Sequence, residues 1–107
     1  MLGIDCSGFT QVLFSTVGIQ LPRNASQQAT MGMAVPFIDN ALPCDIAFFD
    51  NNAGDITHVG LIMSGNRIIH ASRGRVRADS IDHQGIYNNE LNEYTHKLRQ
   101  INSVIPS

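Results

Sequence analysis

The sequence predicts an α+β fold in which N-terminal helices pack on one face of an antiparallel sheet. Apolar residues first recur at helical spacing. From residue 46 onward the pattern changes to short apolar runs that are separated by turn residues. Helices followed by strands are typical of a fold whose layers are segregated. Because short loops join the predicted strands, we expect each strand to pair with its chain neighbour in a meander.

The first helix is predicted to begin beside Cys6 and to end at Gly18. Asp5 is a good N-cap residue, and glycine is a natural C-terminal stop. The apolar residues at helical spacing between these two points are Phe9, Val12, Leu13 and Val17.

A second, weaker helix is predicted after the chain break at Leu21-Pro22-Arg23. Either Asn24 or Ser26 can cap this helix, which is expected to run towards Met33. An irregular connection that contains two prolines then leads to the first strand of the sheet.

Five strands are predicted in the second part of the chain. They cover residues 46–49, 58–63, 67–72, 76–81 and 94–101. The loops at 51–55 and 64–66 are rich in asparagine and glycine, which tolerate positive φ angles. This order places Cys6 on a helix and two candidate histidines on strands.

Length, composition and charge exclude several classes of protein. The chain of 107 residues is near the commonest domain size, so we expect residues 1–107 to form a single domain. The net charge of −2 and the pI near 6.0 give no broad attraction for nucleic acid or an anionic membrane surface. No apolar run of about 20 residues is present, so no membrane span is expected.

The cysteines and the N-terminus bear on whether the protein has a disulfide or zinc scaffold and on whether it carries a signal peptide. Cys6 and Cys44 are too few for a disulfide scaffold and lack the close spacing of a structural zinc site, although a disulfide between them stays open. The first residues carry neither the basic region nor the apolar region of a signal peptide. An export signal, if the protein has one, is therefore expected outside these residues.

Cys6 is a candidate nucleophile because of its position at the first turn of the predicted helix. Backbone N–H groups without intrahelical partners and the positive end of the helix dipole favour a thiolate there, so we expect a lowered pKa. The same N–H groups could stabilise the oxyanion formed when a thiolate attacks an amide. In the competing interpretation, Cys6 is a small buried apolar residue on the stripe of Phe9 and Leu13.

His58 and His70 are the candidates for the base and for its orienting partner. If the loop between their strands has three residues, Met63 pairs with Arg67 and both imidazoles project from the same face, towards Cys6. A two-residue loop would put them on opposite faces. Either histidine could instead be an ordinary half-buried residue, and His83 and His96 are assigned no role.

Five blocks of the sequence, in this order, resemble the NlpC family of bacterial cell-wall cysteine peptidases. The blocks are Asp5-Cys6-Ser7-Gly8-Phe9, Leu21-Pro22-Arg23, Asp45-Ile46-Ala47-Phe48-Phe49, His58-Val59-Gly60 and Ile69-His70-Ala71-Ser72. Each block alone is weak, but five in order over nearly the whole chain form a specific signal.

The resemblance implies a papain-like fold and an endopeptidase that hydrolyses peptidoglycan stem peptides, typically between D-γ-glutamate and a diamino acid. Cys6 matches the nucleophile, His58 the general base and His70 the third polar residue that orients the base. Four further residues match positions that line the substrate cleft: Asp5, Ser7, Ser72 and Arg73.

The resemblance also implies the surroundings in which such a domain acts. Stem peptides or muropeptides are the expected partners, no metal or other cofactor is expected, and the expected location is periplasmic or extracellular. Additional cell-wall-binding domains are possible outside this chain.

The sequence departs from the family pattern in two places. Cys44 stands where the family usually has a glycine before the aspartate, which makes that turn less ordinary. Family members also carry a segment ahead of the nucleophile helix, with a tyrosine that helps to shape the site. Only five residues precede Cys6, so the domain is expected to lack that segment.

Three alternatives stay open on the sequence alone. The domain could be a catalytically inactive module that binds cell-wall peptides, or Cys6, His58 and His70 could be ligands of one zinc ion. The arginines in Arg73-Gly74-Arg75-Val76-Arg77 could bind the carboxylates of a stem peptide, or they could only guard a solvated edge strand.

Overall fold

The structure is a computed structural model that describes residues 5–51 and 53–105. The described ranges contain two α-helices, α1 (Cys6–Ser15) and α2 (Ala25–Gln28), and a short 3-10 helix (Ile38–Asn40). They also contain seven strands: β1 (Met33–Val35), β2 (Ile46–Asp50), β3 (Ile56–Met63), β4 (Arg67–Ser72), β5 (Arg75–Ile81), β6 (Gly85–Asn88) and β7 (Glu93–Ser103).

The strands form one antiparallel sheet that closes on itself. Each strand from β2 to β7 pairs with the next along the chain, and β7 returns to pair with β2. Strand β1 is added beside the C-terminal end of β7. The predicted α+β class and the meander are confirmed. The sequence did not predict that the meander closes into a ring of six strands.

Two apolar clusters occupy the two faces of this ring. The inner cluster takes residues from all six strands: Ala47, Phe49, Ile62, Ile68, Ile81, Ile86 and Ile101. The outer cluster lies between the helices and the sheet: Phe14, Leu21, Ala25, Ile46, Phe48 and Val59. Alternation along β2 supplies both clusters, because successive side chains of a strand point to opposite faces.

Helix α1 begins where the sequence predicts. The Asp5 carboxylate accepts a hydrogen bond from the Gly8 N–H (2.7 Å), which satisfies one of the donors left free at the helix start. The helix ends at Ser15, three residues before the predicted stop, and the turn that follows reaches Gly18, whose φ of 83° lies in the left-handed region. No helix in the described ranges is long and apolar enough to cross a membrane.

The second helix is shorter than predicted. It ends at Gln28, and the expectation that it runs towards Met33 is wrong, because the chain turns at Gly32. A Cβ atom at Gly32 would lie 2.2 Å from the carbonyl oxygen of Ser103, so only glycine allows this approach. Met33 then pairs with Ser103 in the sheet.

The loop between β3 and β4 has the predicted three residues. Met63 pairs with Arg67, and Gly65 (φ 78°) and Asn66 (φ 58°) adopt the left-handed conformation. The paired register ends at Leu61 and Ile69. Helix α1 packs against both β3 and β4, and its first residue, Cys6, contacts Thr57 near the start of β3.

Candidate active site

Three buried polar side chains form a continuous chain of hydrogen bonds across β3, β4 and β5. His58 Nε2 lies 2.7 Å from His70 Nδ1, and His70 Nε2 lies 2.8 Å from Asp79 Oδ2. All three side chains are less than a tenth exposed. The prediction that both imidazoles project from the same face is confirmed. The expectation that this face is turned towards Cys6 is wrong, because Cys6 packs with the outer cluster on the other side of the strands. That face is the inner one, where His58 lies opposite Phe49.

Asp79 is held ionised by its neighbours. Burial raises the pKa of this carboxyl group, but hydrogen bonds from Arg77 and His70 outweigh burial, so the pKa lies below its usual value. Arg77 Nε donates to Asp79 Oδ2 (2.8 Å), and its Nη2 donates to Asp79 Oδ1 (3.1 Å). An ionised carboxylate can only accept hydrogen bonds, which fixes the proton on the facing histidine nitrogen.

The protons of the two histidines follow from that constraint. His70 must donate from Nε2 to Asp79, so its Nδ1 accepts when the ring is neutral. His58 must then donate from Nε2 to His70 Nδ1, which leaves His58 Nδ1 with a free lone pair. The hydrogen-bond network thus predicts one tautomer for each ring, which proton–nitrogen NMR can measure directly.

Burial keeps both histidines neutral. Burial, together with the neighbouring His96 and His70, lowers the pKa of His58 to about 3. The pKa of His70 is also lowered by burial, and the hydrogen bond to Asp79 opposes this only in part. His58 is therefore an unprotonated base over the whole neutral range.

The sequence analysis missed two members of this cluster, Asp79 and His96. The His96 ring stacks on the His58 ring, with centroids 4.0 Å apart and an interplanar angle of 24°. Burial lowers the pKa of His96 to about 4. A signal for Asp79 existed, because alternation puts it on the face of the buried Ile81. His96 gave no comparable signal, since its closeness to His58 depends on the closure of the ring.

The Cys6 side chain does not make the predicted hydrogen bond to an imidazole. Among the described residues, the Cys6 thiol donates its hydrogen bond to the carbonyl oxygen of Thr57, with Sγ at 4.0 Å. The side chain is half-buried and packs against the outer cluster, whereas the histidine rings lie on the inner face. Thr57 directly precedes His58, so the sulfur lies beside the backbone of the predicted base.

The expectation of a lowered pKa for Cys6 is wrong for this structure. Burial raises the pKa of the Cys6 thiol, and the backbone N–H groups of Val59 and Ser7 offset this only in part. The physical reason is that the sulfur is desolvated and the neighbouring Asp5 carboxylate also disfavours a thiolate, while His58 is neutral and supplies no compensating charge. In the unliganded domain Cys6 is a thiol.

Asp5 and Ser7, predicted to line the substrate cleft, are joined by one arginine. Arg23 Nη2 donates to Asp5 Oδ2 (2.7 Å), and Arg23 Nη1 donates to the Ser7 hydroxyl (2.9 Å). The Arg23 hydrogen bond lowers the pKa of Asp5. The pair flanks Cys6 as the sequence predicts, and a role of either residue in substrate binding stays a prediction.

Ser72 and Arg73 line a cavity of about 350 Å³ together with His70, Asp79 and His96. The cavity lies on the inner side of the site, and its lining does not include Cys6. The three predicted arginines all reach it, and within the described ranges only Arg77 of the three is ion-paired, with Asp79 and Glu90. Arg77 is therefore part of the histidine cluster and not only a charge that guards an edge.

Neither a zinc site nor a disulfide is supported in the described ranges. No group of three or more His, Cys, Asp or Glu side chains has an arrangement that could hold a metal ion. Cys6 and Cys44 are both free thiols.

Cys44 has a φ of 78°, a conformation that favours the glycine usual at this turn in the family.

Comparison with known proteins agrees with the resemblance. The sequence profile of the NlpC/P60 family matches residues 1–96. The chain is 38% identical over 73 residues to the gamma-D-glutamyl-L-lysine dipeptidyl-peptidase of Bacillus subtilis, covering 66% of this chain and 24% of that protein. It is 40% identical over 83 residues to the probable endopeptidase NlpC of Escherichia coli, covering 75% and 53%.

A solved structure supports the fold independently. RipD from Mycobacterium tuberculosis, a non-catalytic NlpC/p60 domain protein adapted to peptidoglycan binding, superposes with a TM-score of 0.72. The superposition covers 96% of this chain and 68% of RipD at 21% sequence identity, so this likeness concerns the fold alone. The chain spans about a quarter and about half of the two curated relatives. With the family profile matched over most of its length, the chain belongs to the NlpC/P60 family.

Proposed function

We propose that this domain is a cysteine endopeptidase that hydrolyses peptidoglycan stem peptides through a thioester on Cys6. The observation that carries the proposal is the chain of hydrogen bonds from Asp79 through His70 to His58. This chain of hydrogen bonds leaves the Nδ1 lone pair of His58 free. Cys6 contacts the carbonyl oxygen of Thr57, the residue directly before His58. A base with a fixed tautomer beside a thiol is the arrangement that nucleophilic catalysis requires.

The reaction starts with transfer of the thiol proton to His58 Nδ1. The sulfur then attacks the amide carbon, and the proposed donors to the oxyanion are the backbone N–H groups of Cys6 and Ser7, which lie close enough to the sulfur to lower the pKa of the thiol. The C–N bond breaks as His58 returns the proton to the leaving amine, which leaves an acyl thioester on Cys6. Water, deprotonated by His58, hydrolyses the thioester and regenerates the thiol.

Substrate binding has to complete the site. In the unliganded domain the thiol donates to the Thr57 carbonyl and not to His58. Rotation about the Cα–Cβ bond of Cys6 redirects the sulfur without movement of the helix. Catalytic hydrogen bonds are often long in unliganded enzymes and shorten in the substrate complex. We therefore place the Cys6–His58 contact in that complex.

The bond between D-γ-glutamate and a diamino acid is our choice of scissile bond. The name of the Bacillus subtilis relative, which is 38% identical over two thirds of this chain, specifies a γ-D-glutamyl-L-lysine dipeptide. Asp5, Ser7, Ser72 and Arg73 are the proposed substrate-contacting residues. Arg73 has no ion pair within the described ranges and is available for a substrate carboxylate.

The setting of the domain is part of the same proposal. Residues 1–107 act as one peptidase domain, and stem peptides or muropeptides are its partners. Because that substrate lies outside the cytoplasm, the proposed location is periplasmic or extracellular. Further cell-wall-binding domains in a longer protein would fit the share of the curated relatives that this chain covers.

Incubation with defined muropeptides, followed by mass spectrometry of the products, tests the proposal. We expect cleavage on the carboxyl side of D-γ-glutamate by the wild-type domain and none by Cys6→Ser. Exposed Cys44→Ser is the matched control and should cleave as the wild type does. Cleavage by Cys6→Ser, or cleavage of a different bond, would contradict the mechanism or the assigned bond respectively.

A non-catalytic cell-wall-peptide-binding domain is the second candidate function. The raised pKa of Cys6 and its bond to Thr57 are the observations that favour it. This account predicts saturable binding of a muropeptide with no product, and the same affinity for the Cys6→Ala variant. Calorimetry beside the mass spectrometric assay separates the two functions.

A further inference from the structure

We propose that His96 is a positioning residue for His58. Its stacked ring holds the His58 imidazole in the plane in which Nε2 meets His70 and Nδ1 keeps a lone pair for a proton. The consequence for catalysis rests on the proposed cysteine mechanism. The positioning itself rests on the geometry of the rings alone.

Of the three aromatic rings near His58, the ring of His96 is the one closest to parallel with it. His96 lies 4.0 Å from the His58 centroid at 24°, whereas His70 meets the ring at 89° and Phe49 at 49°. The hydrogen bond to His70 opposes a full flip of the ring, because Nε2 lies off the Cβ–Cγ axis, but it tolerates small rotations about that bond. A flat ring against one face of His58 removes that freedom, because rotation would bring the two rings into collision.

The fold holds His96 firmly in place. Its backbone pairs with Ile86 on β6, and a Cβ atom at Gly85 would lie 1.8 Å from the His96 carbonyl oxygen. The φ of 147° at Gly85 is likewise one that favours glycine. Thr95 Oγ1 lies 2.8 Å from His96 Nδ1, and the Phe49 ring meets the imidazole edge-on with centroids 6.0 Å apart.

His96 is not needed for the chain of hydrogen bonds. Its ring does not bond to His58, His70 or Asp79, and its side chain lies at the boundary of two cavities. A flat apolar ring should therefore replace it, whereas a side chain of similar volume without a flat face should not.

The test compares His96→Phe with His96→Leu, two apolar variants that both fill the site. We expect His96→Phe to keep kcat on a muropeptide within about threefold of the wild type. His96→Leu should lose kcat about 10- to 100-fold with KM within about twofold, because misplacement of a catalytic group affects the chemical step. The exposed His83→Leu is the control and should change neither constant.

Proton NMR of the His58 Nε2–H gives a readout that does not depend on activity. We expect one sharp, slowly exchanging signal in the wild type and in His96→Phe, and a broadened or lost signal in His96→Leu. Wild-type kcat and a sharp signal in His96→Leu would overturn the proposal, as would a loss in His96→Phe as large as in His96→Leu. If no variant cleaves any muropeptide but the NMR pattern holds, positioning stands and the proposed peptidase function fails.

Discussion

The two halves of the candidate site differ in how completely they are built. The histidine half, His58, His70 and Asp79, is buried inside the ring of strands, and each hydrogen bond in it has a partner that fixes the proton. The cysteine half lies on the helix side, where the half-buried Cys6 makes one long hydrogen bond and the flanking Asp5–Arg23 ion pair is solvent-exposed.

The difference indicates which half the substrate must organise. A buried polar network that is fully bonded is rigid, and its disruption costs stability as well as activity. A half-exposed thiol is free to change rotamer, and its loss costs activity alone. Mutations on the two halves should therefore separate in a plot of stability against activity.

Removal of the sulfur should give the largest effect on activity and the smallest on stability. We expect Cys6→Ser or Cys6→Ala to lower kcat/KM by about 10⁴-fold or more, because no covalent attack remains. The free energy of unfolding should change by about 1 kcal/mol or less, since the side chain is small and only half-buried. Substantial residual turnover would exclude the cysteine mechanism.

The two histidines should differ from each other. We expect His58→Ala to lower kcat by about 10³-fold, since it removes the proton acceptor, and His70→Ala to lower it by about 10- to 100-fold. Both should also lower the urea midpoint of unfolding, unlike Cys6→Ala. Equal or reversed losses of kcat would reassign the roles of base and orienting residue.

Asp79→Asn tests whether the carboxylate sets the tautomers. An amide can donate as well as accept, so His70 is no longer forced to carry its proton on Nε2, and we expect kcat to fall about 100-fold. The buried pairing with Arg77 is lost as well, which should cost about 2–3 kcal/mol of unfolding free energy. The control is Asp39→Asn on the 3-10 helix, outside the site. Unchanged kcat in Asp79→Asn would remove Asp79 from the mechanism.

The effect of pH on stability should be smaller and should come from the histidine half. Histidines of the unfolded chain bind protons below pH 6.5, whereas folded His58 resists protonation until about pH 3. Between these values the unfolded state binds more protons, so stability is complete above pH 6.5 and falls as the pH is lowered. We expect His58 alone to cost about 2–3 kcal/mol at pH 4.5. Urea unfolding at pH 7 and at pH 4.5 measures this loss of stability. The His58→Phe variant should lose less stability between the two pH values than the wild type does. An equal urea midpoint of the wild type at both pH values would contradict a buried, neutral histidine cluster.

The elements set by local pattern were predictable from the sequence. The Asp5 cap, the three-residue loop 64–66 and the shared face of His58 and His70 follow from capping, turn preference and the period of a strand. Strand β6 was missed because Gly85–Asn88 is short and carries polar residues. The early end of α2 was missed because it depends on the approach of Gly32 to Ser103, far along the chain.

The part of the site that escaped prediction depends on contacts between distant strands. Alternation with Ile81 indicates that Asp79 is buried, but its role comes from the hydrogen bond to His70, which depends on the pairing of β4 with β5. His96 reaches His58 because β6 and β7 complete the ring. The lowered pKa expected for Cys6 considered the helix terminus but not burial of the thiol, which outweighs it.

The tautomer of His58 tests the central claim most directly. Long-range proton–nitrogen correlation NMR at neutral pH identifies which ring nitrogen of each histidine carries the proton. The account predicts protonated Nε2 and bare Nδ1 on both His58 and His70, with the bare Nδ1 of His58 available for the Cys6 proton. A proton on Nδ1 of His58 would contradict it, because the predicted base would then have no lone pair for the thiol.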